Sequence, residues 1–169
     1  NTLFTFGGIY AASEFGMKIT EVIQFAIALN VTAGLGALTF AWVDDRIGAK
    51  LIIVMSLMAL IIFSAGLLIV ETKIWFWVFG MGLGVFVGPT QAASRSLMAR
   101  LAPPAMQTEM FGLYAMSGKA TAFVGPILVG WVTAASGSQR AGMATIIVFF
   151  VVGLLLLLPV KAPVRGASP

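Results

Sequence analysis

Residues 51–70 read LIIVMSLMALIIFSAGLLIV, a stretch of apolar and small residues that contains no charged side chain. A helix of about 20 apolar residues is long enough to cross the hydrocarbon core of a bilayer, which is about 30 Å thick. Strands of a membrane barrel alternate apolar and polar residues, whereas this stretch is apolar on every face. It therefore predicts a membrane-spanning α-helix.

The sequence on either side repeats this pattern, because charged residues fall mainly in short connections. An apolar segment over about residues 1–13 is too short to cross the bilayer and is interpreted as a partial span. The predicted complete spans cover residues 22–43, 51–70, 74–94, 108–135 and 142–160. We therefore predict an all-α membrane protein, a polytopic helical bundle over residues 1–160, with a cytoplasmic tail over residues 161–169.

The composition excludes a soluble protein. Of the 169 residues, 60% are hydrophobic and 9% are charged, and the mean hydropathy is +1.04. Soluble domains have about 25% charged residues, and small domains bury only about 70% of their surface. The surplus apolar surface must face lipid, so the bilayer is a partner. The net charge of +4 is not gathered into a basic run that follows a phosphate backbone, and we predict no nucleic-acid partner.

The basic residues predict the orientation of the bundle. Alternate connections between the spans carry unequal numbers of Lys and Arg, and basic residues are enriched in short cytoplasmic loops. The richer side holds Arg46, Lys50, Arg95, Arg100, Lys161 and Arg165. The poorer side holds Lys18, Lys73 and Arg140. We therefore predict that the richer side and the C-terminus are cytoplasmic.

Small residues and prolines recur in two neighbouring spans. The span over 74–94 has a small residue at every fourth position, and the span over 108–135 has small residues at intervals of three and four. Such stripes allow helices to approach closely in a membrane, and an interior proline removes a backbone donor and favours a kink. Close packing alone and a helix that bends during transport both remain open. The residues concerned are Gly80, Gly84, Gly88, Pro89, Gly118, Gly125 and Pro126.

Lys119 lies about halfway along the span over 108–135. An ammonium group at this depth costs about 3 kcal/mol on insertion scales, so it should face a cavity or a partner. It either forms a structural pair with a carboxylate or with carbonyl groups, or it contacts an anionic substrate group or takes part in gating. No acidic residue lies at a matching depth in this sequence.

Four other polar side chains in the predicted spans are candidates for a functional site. Asn30 is at mid-depth, and Gln91 lies about one turn inside the end of its span. Either one forms a hydrogen bond that joins two helices, or it lines a polar cavity. Tyr10 and Tyr114 are weaker candidates for the cavity, because a tyrosine in a membrane protein is usually an anchor at the interface.

An intramembrane enzyme needs paired carboxylates, histidine ligands or a serine with a base at depth. The spans contain no such set, and the sequence has neither His nor Cys. We therefore predict no enzymatic activity, no metal and no cofactor. A packing or regulatory module without transport activity remains an alternative.

Several stretches resemble a known family. The loop Asp45-Arg46-x-Gly48-x-Lys50 resembles the signature loop of the major facilitator superfamily. The stretches FVGPTQAASRSLM over residues 86–98 and FGLYAMSGKAT over residues 111–121 are similar to the vacuole-effluxer-like (autophagy-related permease) branch and its bacterial relatives. The resemblance extends over nearly the whole chain.

This resemblance implies a fold and an activity. The chain would be the C-terminal six-helix half of a major facilitator fold, with its first helix truncated and an N-terminal six-helix half as its partner. The family's mode of action implies alternating access, with a small polar solute bound near the midplane. Amino acids are the expected solutes, and efflux or uptake of a sugar or drug is the alternative. The bacterial relatives imply a multi-pass protein of the bacterial cell (inner) membrane.

The resemblance also assigns roles to residues. In such folds the substrate cavity would be lined by Lys119, Gln91, Asn30 and Tyr10. The loop residues Asp45, Arg46, Gly48 and Lys50 would map to the cytoplasmic gate. From their position, Arg95, Arg100 and Glu109 lie at the same inner surface, and we predict that they belong to the gate as charge pairs between helices that break as it opens.

Overall fold

The computed structural model describes the backbone of residues 2–160, and the side chains of residues 6–44 and 46–160. Within residues 2–160 the chain is helical and forms no strand, so the prediction of an all-α membrane bundle is confirmed. The predicted tail over 161–169 lies outside the described residues. The helices are α1 (Thr2–Phe15), α2 (Ile19–Ile47), α3 (Ala49–Ile69), α4 (Lys73–Leu101), α5 (Gln107–Ser136) and α6 (Gln139–Leu157).

Five of these helices are long and apolar enough to cross a membrane, and α1 is too short. The helices run past the predicted spans, since a helix does not need to end where the hydrocarbon ends. Helix α4 continues through Arg95 to Leu101 and stops just before Pro103-Pro104. Proline disfavours helical geometry in the residue before it, and Ala102 is accordingly extended.

Two glycines make the tight connections between helices. Gly48 joins α2 to α3 with a φ of 91°, and Gly137 follows α5 with a φ of 65°. Residues with a Cβ rarely adopt positive φ, so glycine permits reversals this short. These connections define the two ends of the bundle. We call the end with Gly48 the basic end, because Arg46, Lys50 and Arg100 lie there.

Helix α4 is at the centre of the packing and contacts both α2 and α3 extensively. A Cβ at Gly36 would collide with the carbonyl oxygen of Val85, and one at Gly88 with the carbonyl oxygen of Ala33. The hydrophobic effect does not drive helices together in lipid. Small residues instead let the helix backbones approach, and the helices gain van der Waals contacts. The α2–α4 pair is therefore a closely packed unit.

Helix α5 is attached differently. It packs mainly on α6, and α6 in turn packs on α3, whereas contacts between α4 and α5 are sparse. Gly118 has open space where a Cβ would be, while Gly125 is buried. The fold therefore leaves a gap between α4 and α5.

Candidate solute-binding cleft

A cleft of about 570 Å³ occupies the gap between α4 and α5. Its apolar wall includes Leu60 from α3 and Ile146, Phe149 and Phe150 from α6. The polar side chains that line it come from α4 and α5 only: Thr90, Gln91, Arg95, Tyr114, Ser117 and Thr121. The cleft therefore combines an apolar floor with two polar walls.

Helical periodicity explains why these side chains converge. On α5 the polar residues at 114, 117 and 121 recur at intervals of three and four, which places them on one face of a helix. On α4, Gln91 and Arg95 are four residues apart and share a face in the same way. The two polar faces point at each other across the cleft.

The hydroxyl groups of the cleft are partly committed to their own helices. Thr90 donates to the carbonyl oxygen of Phe86 at 2.7 Å, Ser117 to that of Tyr114 at 2.8 Å, and Thr121 to that of Ser117 at 2.9 Å. This back-bonding satisfies the hydroxyl proton and leaves the oxygen as an acceptor. The side chains of Gln91 and Arg95 make no hydrogen bond to the described residues, so their donors remain available for a ligand.

One side-chain bond crosses the cleft. The hydroxyl groups of Ser94 and Tyr114 are 2.7 Å apart, and Ser94 also donates to the carbonyl oxygen of Gln91 at 2.9 Å. A hydroxyl has a single proton, so Tyr114 is the donor in the Ser94–Tyr114 pair. This bond ties α4 to α5 toward the basic end.

The four residues predicted for the cavity are not gathered in one place. Gln91 lines the cleft. Asn30 is exposed on α2 and donates to the carbonyl oxygen of Ala26 in its own helix at 2.8 Å. Tyr10 is fully buried beside Phe15 and Phe76, outside the cleft. Their substrate contacts stay predictions.

Lys119 is exposed on α5, one residue from Gly118, and its side chain is not among those that line the cleft. It makes no ion pair or hydrogen bond with the described side chains. Successive residues of a helix point about 100° apart, which explains why Gly118 faces the cleft and Lys119 does not. Its role in substrate contact or gating stays a prediction.

The sequence pattern does not point to Thr90, Ser117 or Thr121 as cavity residues, and it favours Tyr114 only weakly. It places Arg95 in the gate. The signal available for the residues of α5 was their common helical face. Depth within a span points to Lys119, but depth does not specify which way a side chain points.

The predicted gate residues lie at the basic end but do not form one network. Arg100 pairs with Asp44 at 3.5 Å, and this pair joins α4 to α2. The guanidinium of Arg46 lies 3.9 Å above the ring of Trp42. Lys50 donates to the carbonyl oxygens of Leu158 and Val160 at 2.8 and 2.6 Å.

Two other predicted gate residues add no link to this set. Glu109 is exposed and makes no ion pair within the described residues. The side chain of Asp45 lies outside the described residues. The gating role of the whole set, Gly48 and Arg95 included, stays a prediction.

At the opposite end two ion pairs link helices. Glu21 of α2 pairs with Lys73 of α4 at 3.4 Å, and Glu14 of α1 pairs with Arg140 of α6 at 3.5 Å. Together with the Asp44–Arg100 pair, the first of these joins α2 and α4 at both ends. Within the described residues no ion pair involves α5. Ion pairs therefore stabilise the α2–α4 unit but do not attach α5 to it.

The fold and the cleft define a polytopic α-helical membrane protein with a polar-lined cavity among its helices. The profile described as "Vacuole effluxer Atg22 like" matches residues 1–166. The chain belongs to this family, and a relative named an MFS-type transporter agrees with the predicted place in the major facilitator superfamily.

Individual relatives match over much of the chain. The "Uncharacterized MFS-type transporter YxiO" of Bacillus subtilis (strain 168) is 25% identical over 156 residues, which cover 92% of this chain and 36% of that protein. "Autophagy-related protein 22" of Cryptococcus neoformans var. neoformans serotype D (strain JEC21) is 25% identical over 168 residues, 88% of this chain and 29% of that protein.

A shorter match is more similar. "Autophagy-related protein 22-2" of Emericella nidulans is 38% identical over 84 residues, which cover 48% of this chain and 13% of that protein. The chain thus spans about a third or less of the length of these curated relatives. No solved structure matches it significantly.

Proposed function

We propose that this chain is part of a secondary transporter that moves small polar solutes, amino acids first among them, across a membrane by alternating access. The observation that carries the proposal is the cleft between α4 and α5. Polar side chains are costly in hydrocarbon, and here those of Gln91, Arg95 and Tyr114 line an open cleft between two helices, in which Gln91 and Arg95 are exposed.

The size and lining of the cleft suit a small solute. Sites for small molecules have volumes of about 300–1,000 Å³, with mainly apolar walls and a few polar groups that orient the ligand. The cleft of about 570 Å³ falls in this range. The donors of Gln91 and Arg95 and the hydroxyl oxygens of Thr90, Ser117 and Thr121 supply the polar groups.

The packing supports alternating access. Rocking of one bundle against another is the common mechanism of transporters built from repeats. The α2–α4 unit is held by close backbone approaches and by ion pairs at both ends, whereas α5 is joined to α4 by sparse contacts and the Ser94–Tyr114 bond. We propose that the cleft opens and closes by displacement of α5 relative to α4.

A second part of the protein and a particular membrane complete the proposed transporter. We propose that a second six-helix half completes the solute pathway, since the relatives are about three times as long as this chain. The relative from Bacillus subtilis favours the bacterial cell (inner) membrane, and the basic end favours a cytoplasmic C-terminus. Transport of a sugar or drug is the competing substrate class.

The test is a flux screen of the full-length gene product in liposomes, with labelled amino acids, a sugar and a lipophilic drug, each with and without a pH gradient. Ala122 lines the cleft, so Ala122→Trp should fill it and abolish flux. Ala134→Trp is the matched control, because Ala134 is exposed on the same helix outside the cleft. Absence of flux for every solute, or equal flux in both variants, would refute the proposal.

A further inference from the structure

Arg95 is the only charged residue among the side chains that line the cleft. No carboxylate lines it with Arg95, and none of the described carboxylates lies within ion-pair distance of the guanidinium. Gln91 lies one helical turn away on the same face, with the donors of its amide also unused. Two neighbouring donor groups therefore face the cleft without a protein acceptor among the described residues.

The other cations of the basic end differ in this respect. Arg100 is paired with Asp44, Lys50 is bonded to two carbonyl oxygens, and Arg46 is stacked on Trp42. Each of these three side chains has a structural partner. Arg95 has none within the described residues, and its exposed side chain lines the open cleft, where its donors are available to a ligand.

We propose that Arg95, assisted by the amide of Gln91, binds the carboxylate group of the transported solute in the cleft. The assignment rests on the proposed transport function and names the substrate class of that site. A guanidinium presents a planar fork of N–H donors that matches the two oxygens of a carboxylate. The hydroxyl of Tyr114 does not compete for this role, because its proton is donated to Ser94.

The rest of the cleft specifies the other end of the solute. Leu60, Ile146, Phe149 and Phe150 provide an apolar wall. The lining contains no acidic residue, so it has no charged partner for an ammonium group. These residues therefore favour a carboxylate joined to a small hydrocarbon group, and they offer no charged partner to the ammonium group of a zwitterion.

The test compares three solutes with the same hydrocarbon group: 4-methylpentanoate, its uncharged amide and leucine. Equilibrium binding of the labelled solutes to the full-length gene product in detergent is measured for the wild type, Arg95→Gln and Arg95→Lys. Arg95→Gln should weaken binding of the carboxylate and of leucine by at least about tenfold, and binding of the amide by much less. Arg95→Lys keeps the positive charge but lacks the planar fork of donors, so its affinity for the carboxylate should lie between those of the wild type and Arg95→Gln.

Three outcomes would overturn the inference: equal carboxylate affinity in the wild type and Arg95→Gln, an equal loss for the carboxylate and the amide, or no carboxylate binding to the wild type. An equal loss for both solutes would indicate that Arg95 serves topology or folding. Because binding is measured without flux, failure of the carboxylate assignment is distinguishable from failure of the transport proposal. A wild type that binds the carboxylate and moves no solute would refute transport alone.

Discussion

The hydroxyl oxygens of Ser94 and Tyr114 lie 2.7 Å apart, and their hydrogen bond connects α4 to α5 where these helices otherwise contact each other sparsely. Tyr114 also lines the cleft. The bond therefore sits at the edge of the proposed solute site and limits the separation of its two polar walls.

Loss of this bond should open the cleft. A neutral hydrogen bond contributes about 0.5–1.5 kcal/mol, so Tyr114→Phe should shift an opening equilibrium by about two- to tenfold. We expect faster thiol labelling of a cysteine introduced at Thr121, which lines the cleft. Cysteine at the exposed Ala134, outside the cleft, is the control and should label at an unchanged rate.

Ser94→Ala should have the same effect as Tyr114→Phe, and the double variant should add little, because both single variants remove one bond. Additive effects of the two changes would contradict a direct interaction between these side chains.

Lys50 ties the start of α3 to the end of α6 through the carbonyl oxygens of Leu158 and Val160. A cation at a helix C-terminus satisfies free carbonyl groups and interacts favourably with the helix dipole. Lys50→Met should destabilise the protein by about 1–2 kcal/mol, measured as a lower melting temperature in detergent. Lys18→Met is the control, since the ammonium group of Lys18 contacts no described acceptor. An equal effect of both changes would contradict this tether.

The close approach of α2 and α4 predicts different results at two glycines. A Cβ at Gly88 would collide with the backbone of α2 at Ala33, whereas Gly34 has open space around it. Gly88→Ala should therefore cost about 1–3 kcal/mol by forcing the helices apart. Gly34→Ala should be neutral or stabilising by up to about 1 kcal/mol, because alanine favours the helix. Thermal denaturation in detergent measures both, and a harmless Gly88→Ala would disprove the tight interface.

Substitution of Lys119 distinguishes a structural role of this residue from a role in transport. Lys119→Ala should abolish flux in liposomes while membrane insertion and abundance stay intact. Removal of an intramembrane charge saves about 3 kcal/mol of insertion cost, so a lysine without a function would be replaceable at no loss of flux. Full flux in Lys119→Ala would remove Lys119 from the mechanism.

The helical architecture could be predicted from particular stretches such as residues 51–70, because hydropathy and length alone require a helix there. The close packing of α4 could also be predicted in part, since Gly84 and Gly88 recur at the spacing of a helix–helix contact. The ends of the helices were less predictable. α4 extends to Leu101 because the proline pair, and not the edge of the apolar stretch, stops it.

The site was harder to predict than the fold. Depth within a span points to both Gln91 and Lys119, yet the structure places Gln91 in the cleft and Lys119 outside it. Arg95 was assigned to the gate from its position near the end of a span, and it lines the cleft because α4 turns that face toward α5. These outcomes depend on helix rotation, which a linear pattern of apolar residues specifies weakly when all faces of a helix are apolar.

The sequence alone determines membrane insertion and the number of helices, because the free-energy cost of placing each residue in lipid is local and nearly additive along a segment. The cleft, the Ser94–Tyr114 bond and the exposure of Arg95 to the cleft exist only in the folded bundle. They arise from contacts between residues far apart in sequence. Glycines let α2 and α4 approach closely, α5 packs on α6 and only sparsely on α4, and the space between α4 and α5 determines which polar groups meet.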